Sequence, residues 1–161
     1  MLDFIIAPLL WFCALGCALV AGLFFAFSAF IMTALGRIEP QAGIAAMNAI
    51  NADILRSFFM PVFLGTTLAS AALAVLALLE LGRPGAMAML AGGAVYVLGM
   101  FIVTMAFNVP LNNKLAAADP AASDSAPVWT EYVKVWTSWN HARTLASIIA
   151  VALFIAAIAA R

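Results

Sequence analysis

Residues 4–35 read FIIAPLLWFCALGCALVAGLFFAFSAFIMTAL. Only Ser28 and Thr33 in this run carry polar side chains. About 20 apolar residues in a helix cross a hydrocarbon core about 30 Å thick. The run is longer than that, so a helix built from it must tilt or project beyond the bilayer. It follows Asp3 with no Lys or Arg before it, which is the wrong leader for a cleaved signal sequence. Ala14-Leu15-Gly16-Cys17 faintly resembles a lipoprotein cleavage site, but the apolar run continues far past it. The stretch therefore reads as a retained first membrane helix.

Working outward, three further segments have the same character: Phe58 to Leu81, Ala86 to Phe107 and Thr144 to Ala160, the last being the shortest. The whole chain agrees with them. Of its residues 67% are apolar and 9% charged, and the mean hydropathy is +1.14. An ordinary soluble domain is about half apolar and about one quarter charged, so a soluble fold would have too little polar surface to cover itself. The expectation is an all-α, four-helix transmembrane bundle forming one integral membrane domain over residues 1–161. A formal net charge of zero leaves no basic excess for phosphates and excludes nucleic acid as a natural partner. Cys13 and Cys17, an i, i+4 pair inside the first run, read as small buried apolar side chains.

The connections are unequal. Gly82-Arg83-Pro84-Gly85 is a tight turn. Gly36 to Ser57 spans roughly 22 residues and Asn108 to Arg143 roughly 36, long enough to carry function. With four spans, both long connections lie on one side, opposite the termini and the tight turn. That side holds Arg37, Arg56, Lys114, Lys134 and Arg143, whereas the other holds Arg83 and Arg161. The asymmetry favours the long connections facing the cytoplasm, in a bacterial inner membrane. Ile44, Met47, Ile50 and Ile54 recur near helical spacing, so a short interfacial helix should follow the first span, with Asn48 and Asn51 on another face. A longer ordered connection should precede the last span, with an exposed loop at Ala116 to Pro127. The small stripes Ala14, Ala18, Gly22, Ala26 and Ala152, Ala156, Ala160 look like close helix contacts. A homo-oligomer is compatible with all of this.

Two clusters could carry chemistry. Asn108-Val109-Pro110-Leu111-Asn112 closes the third span. Pro110 removes a backbone donor and tends to end or kink a helix. Asn108 and Asn112 either satisfy the freed backbone or hold a ligand. The second cluster runs from Trp129 to Thr144. Wound as a helix, it puts Trp129, Tyr132, Trp136, Asn140, Arg143 and Ser147 within roughly 80° of one another, with Trp139 at the edge of the stripe. An interfacial aromatic belt explains the Trp and Tyr residues. It explains the tight Asn140-His141-x-Arg143 run poorly, because polar groups at membrane depth are costly. His141 is the only histidine and the only side chain that ordinarily titrates near neutrality, so it is the natural proton acceptor. A continuous helix would aim it more than about 100° from Trp136, so either the helix breaks near Ser138 to Asn140 or His141 faces another neighbour. One histidine excludes bis-His haem ligation within one chain, and no spacing of His, Cys, Asp and Glu suggests a metal site.

Four blocks, in order along the chain, resemble the anthrone oxygenase family of small membrane proteins. They are Phe24-Phe25-Ala26-Phe27-Ser28-Ala29-Phe30 with Met32, Ala46-Met47-Asn48-Ala49-Ile50-Asn51, Asn108-Val109-Pro110-Leu111-Asn112, and Trp136-x-x-Trp139-Asn140-His141-x-Arg143-Thr144. The last two are the more specific. Thr33 stands where the family often has a proline. Members with a named activity oxidise anthrones to anthraquinones with O₂ and no cofactor, while many bacterial members have no assigned reaction. The resemblance implies a small lipophilic aromatic ligand and O₂ as partners, besides the lipid bilayer. It implies His141 as base, with Arg143 and Asn140 or Asn112 steadying an oxyanion. Trp136, Trp139 and Phe27 would enclose the rings, with Tyr132, Asn108, Ser28 and Asn51 completing the binding set. A non-catalytic carrier of quinone-like molecules and an accessory membrane subunit are the alternatives. Transport is disfavoured, since no inverted repeat is visible.

Overall fold

A computed structural model describes residues 3–120 and 125–161. Among the described residues all regular structure is helical. Helix α1 is Phe4–Leu35, α2 is Pro40–Ile54, α3 is Phe59–Leu79, α4 is Ala86–Ala117 and α5 is Ser125–Ala159. All but α2 are long and apolar enough to span a membrane. The protein is an integral membrane four-helix bundle with one short extra helix after the first span.

The spanning helices close a ring, with α5 packed on α1 and α4, and α3 packed on α1 and α4. Helix α1 buries Ile6, Leu10, Cys13, Cys17, Val20 and Phe24, spaced alternately four and three residues apart, which is the seam of a nearly parallel bundle. Both cysteines are fully buried, as read. The small stripes are a different matter. Ala18, Gly22, Ala152 and Ala156 lie on the exposed surface, because the heavier heptad seam faces inward and turns them outward. Close approach is made elsewhere. A Cβ on Gly16 would collide with the Thr66 hydroxyl, and one on Gly93 would collide with the Ser70 carbonyl oxygen.

The bundle has two tiers, for α3 is shorter than its neighbours. Its first residue, Phe59, meets Phe24 edge to face at 6.1 Å. Beyond that level α1, α4 and α5 continue, and α2 takes the place of α3 as the fourth wall. Ile44 and Met47 of α2 pack with Phe27, Met32, Leu115, Trp129, Tyr132 and Trp136. Gly43 brings α2 so close to α5 that a Cβ there would lie 2.6 Å from the Trp129 ring. The outer face of α5 is polar through Glu131, Lys134, Ser138 and His141, then apolar at Leu145, Ile148 and Ile155. From that boundary to Ala159 the helix rises about 27 Å, close to one hydrocarbon thickness. The upper tier therefore sits at and beyond the headgroup level.

The third and last spans, α4 and α5, outrun their apolar segments. Helix α4 does not stop at Phe107 but passes through Pro110 to Ala117. The turn before Pro110, Thr104–Asn108, is a π turn in which Val109 N–H donates to the Thr104 carbonyl. Its pairing is already displaced from i→i+4, so the missing proline donor does not end the helix. Helix α5 begins at Ser125 rather than Thr144 and does not break near Asn140. Pro127 falls in its first turn, where no donor is required. Most of the long connection before the last apolar segment is thus helical. The expected loop at 116–127 shrinks to a short link, of which residues 121–124 lie outside the described residues.

At the opposite face the tight turn is tied to the chain end. Gly85 has φ of 79°, a left-handed conformation that suits glycine, and it abuts Ala157. Arg83 and Arg161 donate to separate oxygens of Glu80 at 2.7 and 2.8 Å. Arg161 and then Arg83 hold the Glu80 carboxyl below its usual range.

Candidate functional site

Where the tiers meet, α5 places two polar side chains on its inward stripe. Asn140 is fully buried and Arg143 is 4% exposed. The Asn140 amide donates to the Phe24 carbonyl at 2.7 Å and to Ser28 Oγ at 2.8 Å. Its Oδ1 accepts from Arg143 Nη2 at 2.8 Å. Ser28 also meets Thr144 Oγ1 at 3.2 Å. Phe24 and Ser28 flank the start of the π turn Phe27–Ile31 in α1. Arg143 Nη1 donates to Thr104 Oγ1 at 3.3 Å, the first residue of the π turn in α4. The guanidinium lies over two rings, Phe24 at 4.1 Å and Trp136 at 5.0 Å from their centroids.

The electrostatics of this cluster are one-sided. Among the described residues the ion pairs involve Glu80 and the exposed Lys114–Glu131 couple, and none involves Arg143. A buried guanidinium normally acquires a carboxylate. Arg143 has an amide, a long hydroxyl contact and two aromatic faces instead. Its Nε has no partner. Asn108 Oδ1 and the Trp136 indole N–H are likewise buried without partners. Such groups are rare enough to need a reason.

Above Arg143 the aromatic residues of α5 form a ladder. Trp129 stacks on Tyr132 at 5.7 Å, Tyr132 on Trp136 at 6.1 Å, and Phe27 of α1 contacts Trp136 at 5.6 Å. The Tyr132 hydroxyl donates to Asn112 Oδ1 at 2.8 Å. Asn108 Nδ2 donates to the Trp136 carbonyl at 3.2 Å, fixing α4 against α5. Asn51 of α2 stands beside Tyr132, and its amide nitrogen is unpartnered. The structure therefore brings together Asn140, Arg143, Ser28, Trp136 and Phe27, with Asn108, Tyr132, Asn112 and Asn51 in the tier above. It does not bring His141 among them. Because α5 is unbroken, His141 points outward and is exposed at the headgroup boundary. Trp139 also faces outward, stacked on Phe107 at 3.7 Å with the rings 8° from parallel.

Sequence reasoning missed Thr104, Thr144, the Phe24 carbonyl and Phe107. A signal existed for two of them, since Thr104 and Thr144 stand one helical turn from Asn108 and Asn140 and so share their faces. Nothing in the sequence marks the π turns. Among the described residues no three His, Cys, Asp or Glu side chains gather as metal ligands would.

The sequence profile described as anthrone oxygenase matches residues 56–153, more than half of the chain. The match takes in Asn108, Trp136, Asn140 and Arg143 and leaves out the α1 and α2 contributions of Phe24, Ser28 and Asn51. Searches of curated proteins and of solved structures found no match. With its membrane bundle and its most specific motifs inside the matched span, the chain belongs to the anthrone oxygenase family.

Proposed function

We propose that this protein oxidises a flat phenolic aromatic such as an anthrone with O₂, without a cofactor, at the Asn140–Arg143 cluster. The observation that carries the reading is the buried Arg143, which has no carboxylate partner among the described residues, an unpaired Nε and aromatic rings on its faces. An uncompensated buried cation favours an anion arriving at that point. An anthrone supplies one. Loss of its acidic C–H proton leaves an anion whose charge rests largely on the carbonyl oxygen. Arg143, oriented by Asn140, stabilises that oxygen and so makes the proton easier to lose. The electron-rich ring carbon then combines with O₂, the resulting peroxide takes back a proton, and loss of water forms the second carbonyl. One O₂ is consumed and one water released per quinone. Phe24, Phe27 and Trp136 supply the aromatic, water-poor walls.

With the acidity handled by Arg143, the first proton passes to solvent, and His141 acts at most as an interfacial acceptor for it. Among the described residues no imidazole or carboxylate stands beside Arg143, which favours one further reading, in which the same cluster holds a quinone-like anion without turning it over.

Purified protein in lipid nanodiscs, given an anthrone, separates these readings through O₂ uptake and quinone absorbance. The wild type should turn over, and Arg143→Gln should lose about 10²-fold in kcat, as removal of one oxyanion donor does. His141→Ala should keep most activity. Turnover unchanged in Arg143→Gln would refute the assignment, and saturable binding without O₂ uptake would favour the carrier.

A further inference from the structure

Arg143 is buried, so a ligand reaches it only by parting two helices. The seams around it differ. The α1–α5 seam is held by short bonds at 2.7 and 2.8 Å from Asn140 to Phe24 and Ser28, and by the Ser28–Thr144 contact. At the same level the α4–α5 seam has only longer bonds, Arg143 to Thr104 at 3.3 Å and Asn108 to the Trp136 carbonyl at 3.2 Å. Outside those bonds it is covered by the Phe107–Trp139 stack. Lower down the same seam is pinned, because Gly99 lies so close to Ala146 that a Cβ would come within 2.6 Å. Between pin and stack α4 is wound almost wholly in π turns, Val97–Ile102 and Thr104–Asn108. These have already given up regular i→i+4 pairing and mark points where a helix changes course. Above the stack the seam closes again through the Tyr132 bond to Asn112 at 2.8 Å and the Lys114–Glu131 pair, so it is pinned on both sides and weakly closed at the level of Arg143.

We propose that Phe107 and Trp139 form the access and selection site through which a planar aromatic ligand passes from the bilayer to Arg143. This rests on the function proposed above. Both rings reach the surface at the headgroup boundary, Phe107 being 39% exposed and Trp139 half-buried. Each adjoins a residue of the buried cluster, since Asn108 follows Phe107 and Asn140 follows Trp139. Two rings 8° from parallel that separate by one further ring thickness leave a slot for a flat molecule and refuse a twisted one. Parting them is easy, because such a stack contributes a factor of about ten at most. Phe107 is thus a specificity-determining residue.

The test compares two aromatic ketones in nanodiscs: anthraquinone, which is planar, and benzophenone, whose rings are twisted. The association rate is read by stopped-flow quenching of tryptophan fluorescence. The wild type should take up anthraquinone faster than benzophenone by up to about tenfold, the worth of an aromatic stack. Phe107→Leu, which keeps bulk and loses the plane, should bring the ratio toward one, and Phe107→Tyr should restore it. Should Phe107→Leu fail to fold, Trp139→Leu reads the same ratio. A ratio unchanged in the leucine variant overturns the access site while leaving the function standing. A wild type that binds neither ketone overturns both.

Discussion

Replacing Arg143 by methionine separates what the residue does for the fold from what it does for a ligand. The side chain keeps its apolar stem, ends short of the guanidinium position and loses its charge. Arg143 makes one good charge-assisted bond to Asn140 at 2.8 Å and one long bond to Thr104 at 3.3 Å. A bond to a charged group contributes about 1.5–3 kcal/mol and the long one less. The two ring faces contribute about 2 kcal/mol when desolvated. Against these stands the cost of burying a guanidinium with no carboxylate and an unpaired Nε, several kcal/mol per ion. The terms nearly cancel. Arg143→Met should therefore alter unfolding stability by less than about 2 kcal/mol, unlike the 3–5 kcal/mol lost when a buried ion pair is broken. Its anthrone turnover should fall by about 10²-fold or more. Thermal unfolding in detergent and O₂ uptake on the same preparation provide the two numbers. A variant destabilised by more than about 4 kcal/mol would show that Arg143 is chiefly a structural residue, contrary to the balance drawn here.

Other residues are open to similar checks. Asn140→Leu removes three short bonds and leaves Arg143 Nη2 without its acceptor. It should cost about 2–4 kcal/mol, given about 0.6–1.7 kcal/mol per interhelical bond in bilayers, and a melting temperature equal to wild type would contradict it. Gly43→Ala drives a methyl into the Trp129 ring and should loosen α2 at a cost of about 1–3 kcal/mol, read as faster proteolysis at residues 36–58. Glu80 has its folded pKa lowered by Arg161 and Arg83, so its contribution is fully present above the ordinary carboxylate range and disappears as pH falls through the folded value. Glu80→Gln should therefore lower the melting temperature at neutral pH and match wild type in strong acid; a difference that persists in acid would contradict the assignment.

The membrane bundle was legible because 20-residue apolar runs separated by Gly-Pro turns have few other meanings. Helix ends were less so. Hydropathy reports where lipid ends, while helices α4 and α5 continue past that level because α2 supplies a fourth wall for their aromatic faces. Pro110 and Pro127 look like breaks, and each falls where its missing donor is not needed. The 100° periodicity placed Trp136, Asn140 and Arg143 on one face correctly, and the same arithmetic gave His141 its outward angle. What periodicity cannot supply is the partner across the gap, since the Phe24 carbonyl is a backbone group and the π turns carry no residue pattern of their own. The small-residue stripes were only partly informative: Ala14 is buried in the core, while Ala18, Gly22, Ala152 and Ala156 face outward.

The central claim is that Arg143 stabilises the anion of a flat phenolic ligand. Anaerobic mixing of an anthrone with the purified protein at neutral pH tests it without any turnover, through the absorbance of the deprotonated ligand. The account predicts that the anion band appears in proportion to wild-type protein and is missing with Arg143→Met. A ligand that stays in its neutral form on the wild type, or an equal band on both proteins, would contradict it.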